Sequence, residues 1–377
     1  ERAITAAQRG DCAAAIPDLQ AILKENERLV PAWNALAVCY ATSGHPEQAT
    51  AAYDAFDRAQ RLAPREQAIA KAWFDAAGEL ATQAADHIEK KEFAEARRLL
   101  LRVARPLEGS ASWNNLLGYA EFKLGHPEAA LARLQKALTL EPDNEDYLLD
   151  LGEFLGYYRA PQNAVELFEV ASRRMQHSPR VRFGLAVSYI LVGRRDDAVK
   201  LLETLVQADP KFEPGYRALG ECYEDAGNWD GLVRLGKQLQ GVNPANPGGW
   251  YFEGAGRLKN ATEDSAPDPQ AAAVLRRAVK IDPRSSRIHF TLAKAYQQSG
   301  ETELAVRELR ETIRLEPEHA RAHYVLARLY QKLGQSEAAK REMAAHSRIK
   351  VADRKAQYRA LLIESRPGVE KSLDAAR

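Results

Sequence analysis

Three sets of residues in this sequence are of a type and spacing that could do chemistry. His319 and His323 stand at i and i+4 of a helical pattern, the spacing of a two-ligand metal clip. No third ligand accompanies them, so no metal site is expected, and His323 reads instead as a core residue. Asn260-Ala261-Thr262 matches a glycosylation acceptor triplet in a stretch that reads as an exposed loop, although such triplets often arise by accident. Cys12 and Cys39 form the third set, a thiol pair that could close a disulfide if the fold brings them together. Cys222 has no evident partner, and the three cysteines lack metal-ligand spacing. The sequence contains no Gly-rich phosphate loop and no Ser-His-Asp or Cys-His set. No catalytic residue, no cofactor and no enzymatic activity is expected.

The elements that must position these residues repeat. Gly118, Gly152, Ala186, Gly220 and Gly254 follow one another at intervals of 34 residues. Gly125, Gly193 and Gly227 keep the same beat, as do Pro142, Pro210 and Pro244, and Ala130, Ala164 and Ala198. Such a period reads as paired helices stacked into a solenoid. Within one period, Tyr216, Leu219, Gly220 and Tyr223 make one stripe of a helix. Gly220 removes a side chain so that another helix can approach closely. Gly227 then ends the helix, because the left-handed conformation costs least without a Cβ. A second helix from about Trp229 stops at Asn243-Pro244. The same pattern recurs in Arg182, Leu185, Ala186, Tyr189, Gly193 and Pro210. It recurs again in His289, Leu292, Ala293, Tyr296, Gly300 and Pro317, and near the start in Trp33, Leu36, Ala37, Tyr40 and Gly44.

In these residues the sequence resembles the tetratricopeptide repeat (TPR) family. Its signature is an aromatic, a leucine and a small residue, then tyrosine, later alanine, a large apolar residue and proline. The resemblance covers nearly the whole chain, in about ten repeats or part-repeats. It implies an all-α solenoid, a right-handed superhelix forming a single domain over 1–377, whose inner surface binds proteins or peptides. It implies no chemistry.

The resemblance also implies that the first helix of each pair lines a concave groove. The places not used by the core stripe hold Phe183, Tyr251, Phe290 and Tyr324 in equivalent positions, with Tyr119, Phe122 and Tyr157 earlier. Asp146, Asp150, Glu153, Glu221, Glu224 and Asp225 add an acidic section. Arg287, Lys294, Arg321, Arg328 and Lys332 add a basic one. An aromatic ladder flanked by these charges suits an extended peptide or a partner helix. The other reading has several of these rings packing between adjacent first helices. Chaperone-binding members of the family hold a C-terminal carboxylate with a Lys and Asn set. That set is absent here, since Asn34 and Asn115 occupy comparable places without the lysines.

Composition narrows the partners. The net charge of +1, from 53 basic and 52 acidic residues, points neither to nucleic acid nor to a membrane surface. No apolar run of about 18 residues exists, so no transmembrane helix is expected. The chain starts at Glu1, without methionine, inside a helical pattern. A removed signal peptide, and with it a periplasmic or secreted location, stands beside a cytoplasmic one.

In chain order, residues 1–29 form a part-repeat with Ala15, Leu19 and Ile22 on its buried stripe. Cys12 opens the second helix there, and Cys39 lies late in the first helix of the next repeat, 30–64. Stacked neighbours run antiparallel, so the thiols could meet, or fill core space as two small buried residues. The repeats run over 30–346, but 65–110 breaks the beat: one long helix to Lys91, a turn, then a helix from Phe93 to Arg105. Four regular repeats occupy 111–246. The stretch Gly241 to Pro269 is the softest, with a loop inserted near 259–269. Two repeats follow, 286–319 and 320–346, and residues 347–377 form a capping helix with Tyr358, Leu361 and Leu362 facing inward, then a tail. An array with one incomplete end and one extended end could also stack head to tail into a homo-oligomer or filament.

Overall fold

Residues that start and stop helices recur at short intervals, and the structure follows them. The computed structural model describes residues 1–43, 46–158, 160–260 and 268–364, and among these residues it contains helices and no strand. Two compact units divide the chain, Glu1–Arg194 and Arg195–Arg377.

The first unit begins with α1 (Arg2–Gln8), α2 (Cys12–Glu25), α3 (Val30–Thr42) and α4 (Pro46–Leu62). It continues with α5 (Gln67–Glu89), α6 (Phe93–Arg102), α7 (Ala104–Leu107) and α8 (Ala111–Lys123). It ends with α9 (Pro127–Leu140), α10 (Glu145–Tyr157), α11 (Pro161–Arg174) and α12 (Pro179–Leu191). The second unit comprises α13 (Arg195–Ala208), α14 (Glu213–Ala226), α15 (Trp229–Val242), α16 (Pro247–Asn260) and α17 (Pro269–Ile281). Its last helices are α18 (Ser286–Gln298), α19 (Thr302–Leu315), α20 (Ala320–Lys332) and α21 (Ser336–Glu364). Each unit is an all-α solenoid array in which successive helices pack on one another.

Capping chemistry explains the boundaries. Gly10, Gly125, Gly193, Gly227, Gly300 and Gly334 all take positive φ. After each, the next N–H reaches back five residues, as His126 N does to Glu121 O at 2.9 Å, which closes the helix end in a Schellman turn. Lys91 occupies the same place with φ 62°, where no glycine is available. Side chains of Ser110, Asn144, Ser178, Asn228 and Ser285 accept N-terminal amides, and proline opens α9, α11, α12 and α17.

The small residues of the repeat mark close approaches. A Cβ on Gly118 would lie 2.9 Å from Leu134 Cγ, and one on Gly254 2.5 Å from Leu275 Cγ. The ring of Phe168 is held between two glycines, with Cβ atoms built on Gly152 and Gly184 falling 2.4 and 2.6 Å from it. A further close contact joins α15 and α16, where Gly236 and Gly256 bring the backbones together.

Several local expectations need correction. Phe93 to Arg105 is not one helix but breaks at Val103 into α6 and α7. Pro106 lacks the N–H that would bond the Arg102 carbonyl, and its ring crowds that position. On α2, Leu23 is buried where Ile22 was expected, Ile22 being only partly covered. Within the Gly241–Pro269 stretch, Pro247–Asn260 is helix α16, whose glycines fit the close crossing with α15, and the inserted loop expected near 259–269 falls largely outside the described residues. The last helix, by contrast, runs on to Glu364 as the lack of glycine and proline from Ser336 leads one to expect, without a restart near Ala352. Ala261 and Thr262 of the Asn260 triplet, Gly44, Arg159, the side chains of Tyr358, Leu361 and Leu362, and the tail past Glu364 lie outside the described residues.

Candidate functional site

The two thiols singled out by spacing do meet. Cys12 at the start of α2 and Cys39 near the end of α3 form a disulfide, with Cα atoms 5.1 Å apart. Cys222 is buried and free. The two histidines do not converge on a common ligand. His319 caps α20, its Nδ1 accepting from Ala322 N at 3.1 Å. His323 is buried, with Nδ1 2.6 Å from Glu342 Oε2 and Nε2 3.0 Å from the Pro317 carbonyl. Among the described residues no group of three or more His, Cys, Asp or Glu is arranged to hold a metal ion. Among them, too, no helix is long and apolar enough to cross a membrane.

The His323 geometry belongs to a pattern that sequence reasoning missed. Trp33, Asn114, Trp250, His289 and His323 each place a ring or amide nitrogen on the carbonyl six residues earlier, at 2.8 to 3.2 Å. Three of those carbonyls belong to Pro244, Pro283 and Pro317, in the turns between repeats. The donors look unrelated in sequence, but each presents an N–H at the same point of the helix. The signal that could have found them is a side-chain donor six residues after the turn. His289 also faces a buried carboxylate, Glu308 Oε2, at 2.7 Å from its Nδ1. That bond raises the imidazole pKa, against burial, and the Pro283 carbonyl raises it further. His323 and Glu342 repeat the pair one period later.

On the first helices of the first unit, the ring positions form a cluster. Lys123 Nζ lies 4.8 and 4.4 Å from the Tyr119 and Phe122 ring centres and pairs with Glu153 Oε1 at 2.5 Å. Phe122 is buried against Phe154, and Tyr157, 72% exposed, packs its edge on Phe122. Asp150 is half-buried and accepts from Asn115 Nδ2 at 2.6 Å. Burial pushes its pKa up to about 6, with Glu153 and Asp146 adding to the rise. Phe183, on α12, is half-buried.

The second unit separates its candidate residues sharply. Tyr251 on α16 is buried, not a free anchor: its hydroxyl donates to Glu224 Oε1 at 2.8 Å and accepts from Arg287 Nε at 2.9 Å. Burial and the Glu224 carboxylate, opposed by Arg287, push that phenol up to about 12. Arg287 in turn pairs with Glu224. Glu221 and Asp225 are exposed, Asp225 paired with Arg195 at 3.3 Å. Phe290 and Tyr324 remain on the surface. Phe290 is half-buried with its ring 4.6 Å from His319, and Tyr324, 40% exposed, lies 5.3 Å from His346. Arg321 and Arg328 are exposed, and neither makes an ion pair among the described residues. Lys294 is half-buried; burial first, then Lys259 and Arg321 nearby, holds its ammonium below the ordinary lysine value.

On α18 and α20 these residues form the same triplet twice: Arg287, Phe290 and Lys294, then Arg321, Tyr324 and Arg328. The arrangement offers ring stacking and cation–carboxylate pairing over a row of surface positions. It contains no nucleophile with an adjacent base.

Two family models described as tetratricopeptide repeat match the sequence, one over residues 159–220 and the other over 1–66, 115–177 and 290–340. No curated protein matches it. Among solved structures, the chain is similar to MamA, at 19% identity and TM-score 0.40, covering 45% of this chain and 97% of that one. It is similar to TTC0263, a thermophilic TPR protein of Thermus thermophilus, at 23% identity and TM-score 0.39, covering 49% and 100%. It is similar to YrrB, described as a TPR protein with an unusual peptide-binding site, at 16% identity and TM-score 0.37, covering 53% and 96%.

Proposed function

The chain belongs to the tetratricopeptide repeat family, and from that premise we propose that it is a non-catalytic scaffold that holds a partner protein on its first-helix face. The single observation that carries this reading is the doubled triplet of the second unit, Arg287-Phe290-Lys294 and Arg321-Tyr324-Arg328. Each triplet presents one aromatic ring between two cations on a helix surface. Rings that are rigid and only partly covered supply much contact area at small entropic loss, and such residues dominate binding energies at interfaces.

The experiment uses the full chain as bait in extract of its native source, with captured proteins identified by mass spectrometry. The variant Phe290→Ala/Tyr324→Ala should lose at least about 2 kcal/mol of binding to the captured partner. Its helical signal and unfolding midpoint should stay near those of the unaltered chain, because neither ring is fully buried. Capture that survives both substitutions would remove this face from the function. Tyr251 is left out of the test, since its substitution would also break the Glu224–Arg287 network.

A further inference from the structure

A ligand class follows from a cavity and from cations that lack counter-ions; it rests on the scaffold reading above and narrows it. The cavity, of about 430 Å³, lies in the second unit where α14, α16 and α18 begin. Its size falls in the range of about 300–1,000 Å³ common to ligand sites. Leu239, Phe252 and Ile288 supply apolar lining, and Arg217, Arg287 and Tyr251 supply cationic and phenolic lining. Glu213 and Asp282 supply carboxylates that are already engaged, Glu213 by Asn243 and Asn246 and Asp282 by the Arg284 N–H. Gly248 stands two residues before Trp250, the place where α18 and α20 carry Arg287 and Arg321 before His289 and His323. The long side chain found at that position in the next two repeats is missing here, and a Cβ built on Gly248 faces Leu239 Cδ2 and Phe252 Cε2 at 3.8 and 3.9 Å, beside Asn246 Oδ1 at 2.9 Å.

The lining itself sets Arg217 and Arg287 against Glu213 and Asp282, but among the described residues three cations on α14, α18 and α20 lack carboxylate partners. Arg217 and Arg321 are exposed, and Lys294 is half-buried, yet among the described residues none of the three meets a carboxylate. Arg287, on the same face, is instead tied to Glu224 and Tyr251. Withdrawing an ammonium from water beside two further cations is unfavourable until an anion arrives. Lys294 lies two turns beyond Arg287 on α18, about 10 Å by helix rise. An extended chain spans that distance in about three residues.

We propose that the cavity takes one large apolar side chain of an extended acidic segment of a partner protein, whose carboxylates pair with Arg217 on one side and with Lys294 and Arg321 on the other. Side-chain carboxylates suffice, and no free chain terminus is needed. A nucleic acid fits less well. Along α14 the surface passes from Arg217 to Glu221, Glu224 and Asp225, which would repel a continuous polyanion but leave a short acidic segment undisturbed.

The test uses the full chain and a fluorescein-labelled peptide of Asp and Glu around one central Phe, amidated at its C-terminus, followed by fluorescence anisotropy. Saturable binding is expected. Arg217→Glu and Arg321→Glu, both at exposed positions, should each weaken it about tenfold, and replacing the peptide's Phe by Ala should weaken it by a similar factor. A thymidine oligonucleotide of equal charge should compete at least about tenfold less well than unlabelled peptide. The proposal is overturned if no saturation is reached by about 1 mM peptide. It is overturned equally if both charge reversals bind like the unaltered chain, if the Phe is dispensable, or if the oligonucleotide competes as well as the peptide. Loss of partner capture by Phe290→Ala/Tyr324→Ala alongside failure of this peptide would leave the scaffold standing and remove only the ligand class.

Discussion

Two glycines in helix interiors should respond to alanine with opposite signs. Gly78 lies within α5, and a Cβ there meets nothing within 4 Å. Gly78→Ala should therefore stabilise by about 0.5–1 kcal/mol, the backbone entropy that glycine loses on entering a helix. Gly152 lies within α10, and its Cβ would fall 2.4 Å from two ring carbons of Phe168. Ordinary carbon contacts are about 3.5–4.0 Å, so the ring must move by roughly 1 Å or more. It has nowhere to go, because Gly184 closes on its other side, with a Cβ position 2.6 Å away, and the ring is 3% exposed. Overpacking of this kind costs about 1–3 kcal/mol, which exceeds the propensity gain of about 1 kcal/mol at most sites. Gly152→Ala should thus destabilise by up to about 2 kcal/mol. Urea unfolding followed by circular dichroism gives the sign. Hydrogen exchange should show the loss concentrated in α10–α12, since a repeat array loosens locally. In the double variant Gly152→Ala/Phe168→Leu the two effects should be non-additive, with a coupling of about 0.5–3 kcal/mol. A Gly152→Ala protein as stabilised as Gly78→Ala would refute the packing argument.

Four further outcomes are expected. Cys12 and Cys39 are 27 residues apart, so Cys39→Ser should cost the first unit about 3.5 kcal/mol on the loop-entropy account, and intact mass after thiol alkylation should count one free cysteine in the unaltered chain. The His289–Glu308 pair should make stability depend on pH from both sides. The raised imidazole pKa adds stability that is complete below its unfolded value of 6.5 and is lost as pH rises through the folded value. For Glu308, burial alone would raise the pKa, but the bonds from His289 and Arg307 outweigh it and hold it below 4.5, so its contribution is lost as pH falls through the folded value. The stability gap between the unaltered chain and His289→Gln should be widest between those two reference values, and a gap independent of pH would count against the pair. Lys91→Gly should stabilise by about 0.5–1 kcal/mol, because a left-handed non-glycine residue is strained, and an unchanged urea midpoint would contradict this. Head-to-tail assembly predicts concentration-dependent light scattering that removal of residues 347–377 abolishes; a monodisperse monomer in both forms would end that idea.

The sequence by itself determined the repeat and its punctuation. A positive φ excludes a Cβ at low cost, so Gly125, Gly193, Gly227 and Gly300 announced their turns wherever they fell in the chain. The periodic stripe likewise made helix pairs legible, and with them that the helices bearing Cys12 and Cys39 are neighbours, while whether the thiols bond or fill core space was decided by the structure. What tertiary structure alone decided was the fate of residues at equivalent positions. Tyr251 and Phe290 stand at the same place in successive repeats, yet one is buried and the other reaches the surface. The difference comes from Glu224 on α14 and Arg287 on α18, residues of two other helices that pin the tyrosine hydroxyl. Period is a property of the chain and can be read along it. Burial and charge balance are properties of the neighbours that each position meets, and those neighbours come from repeats tens of residues away.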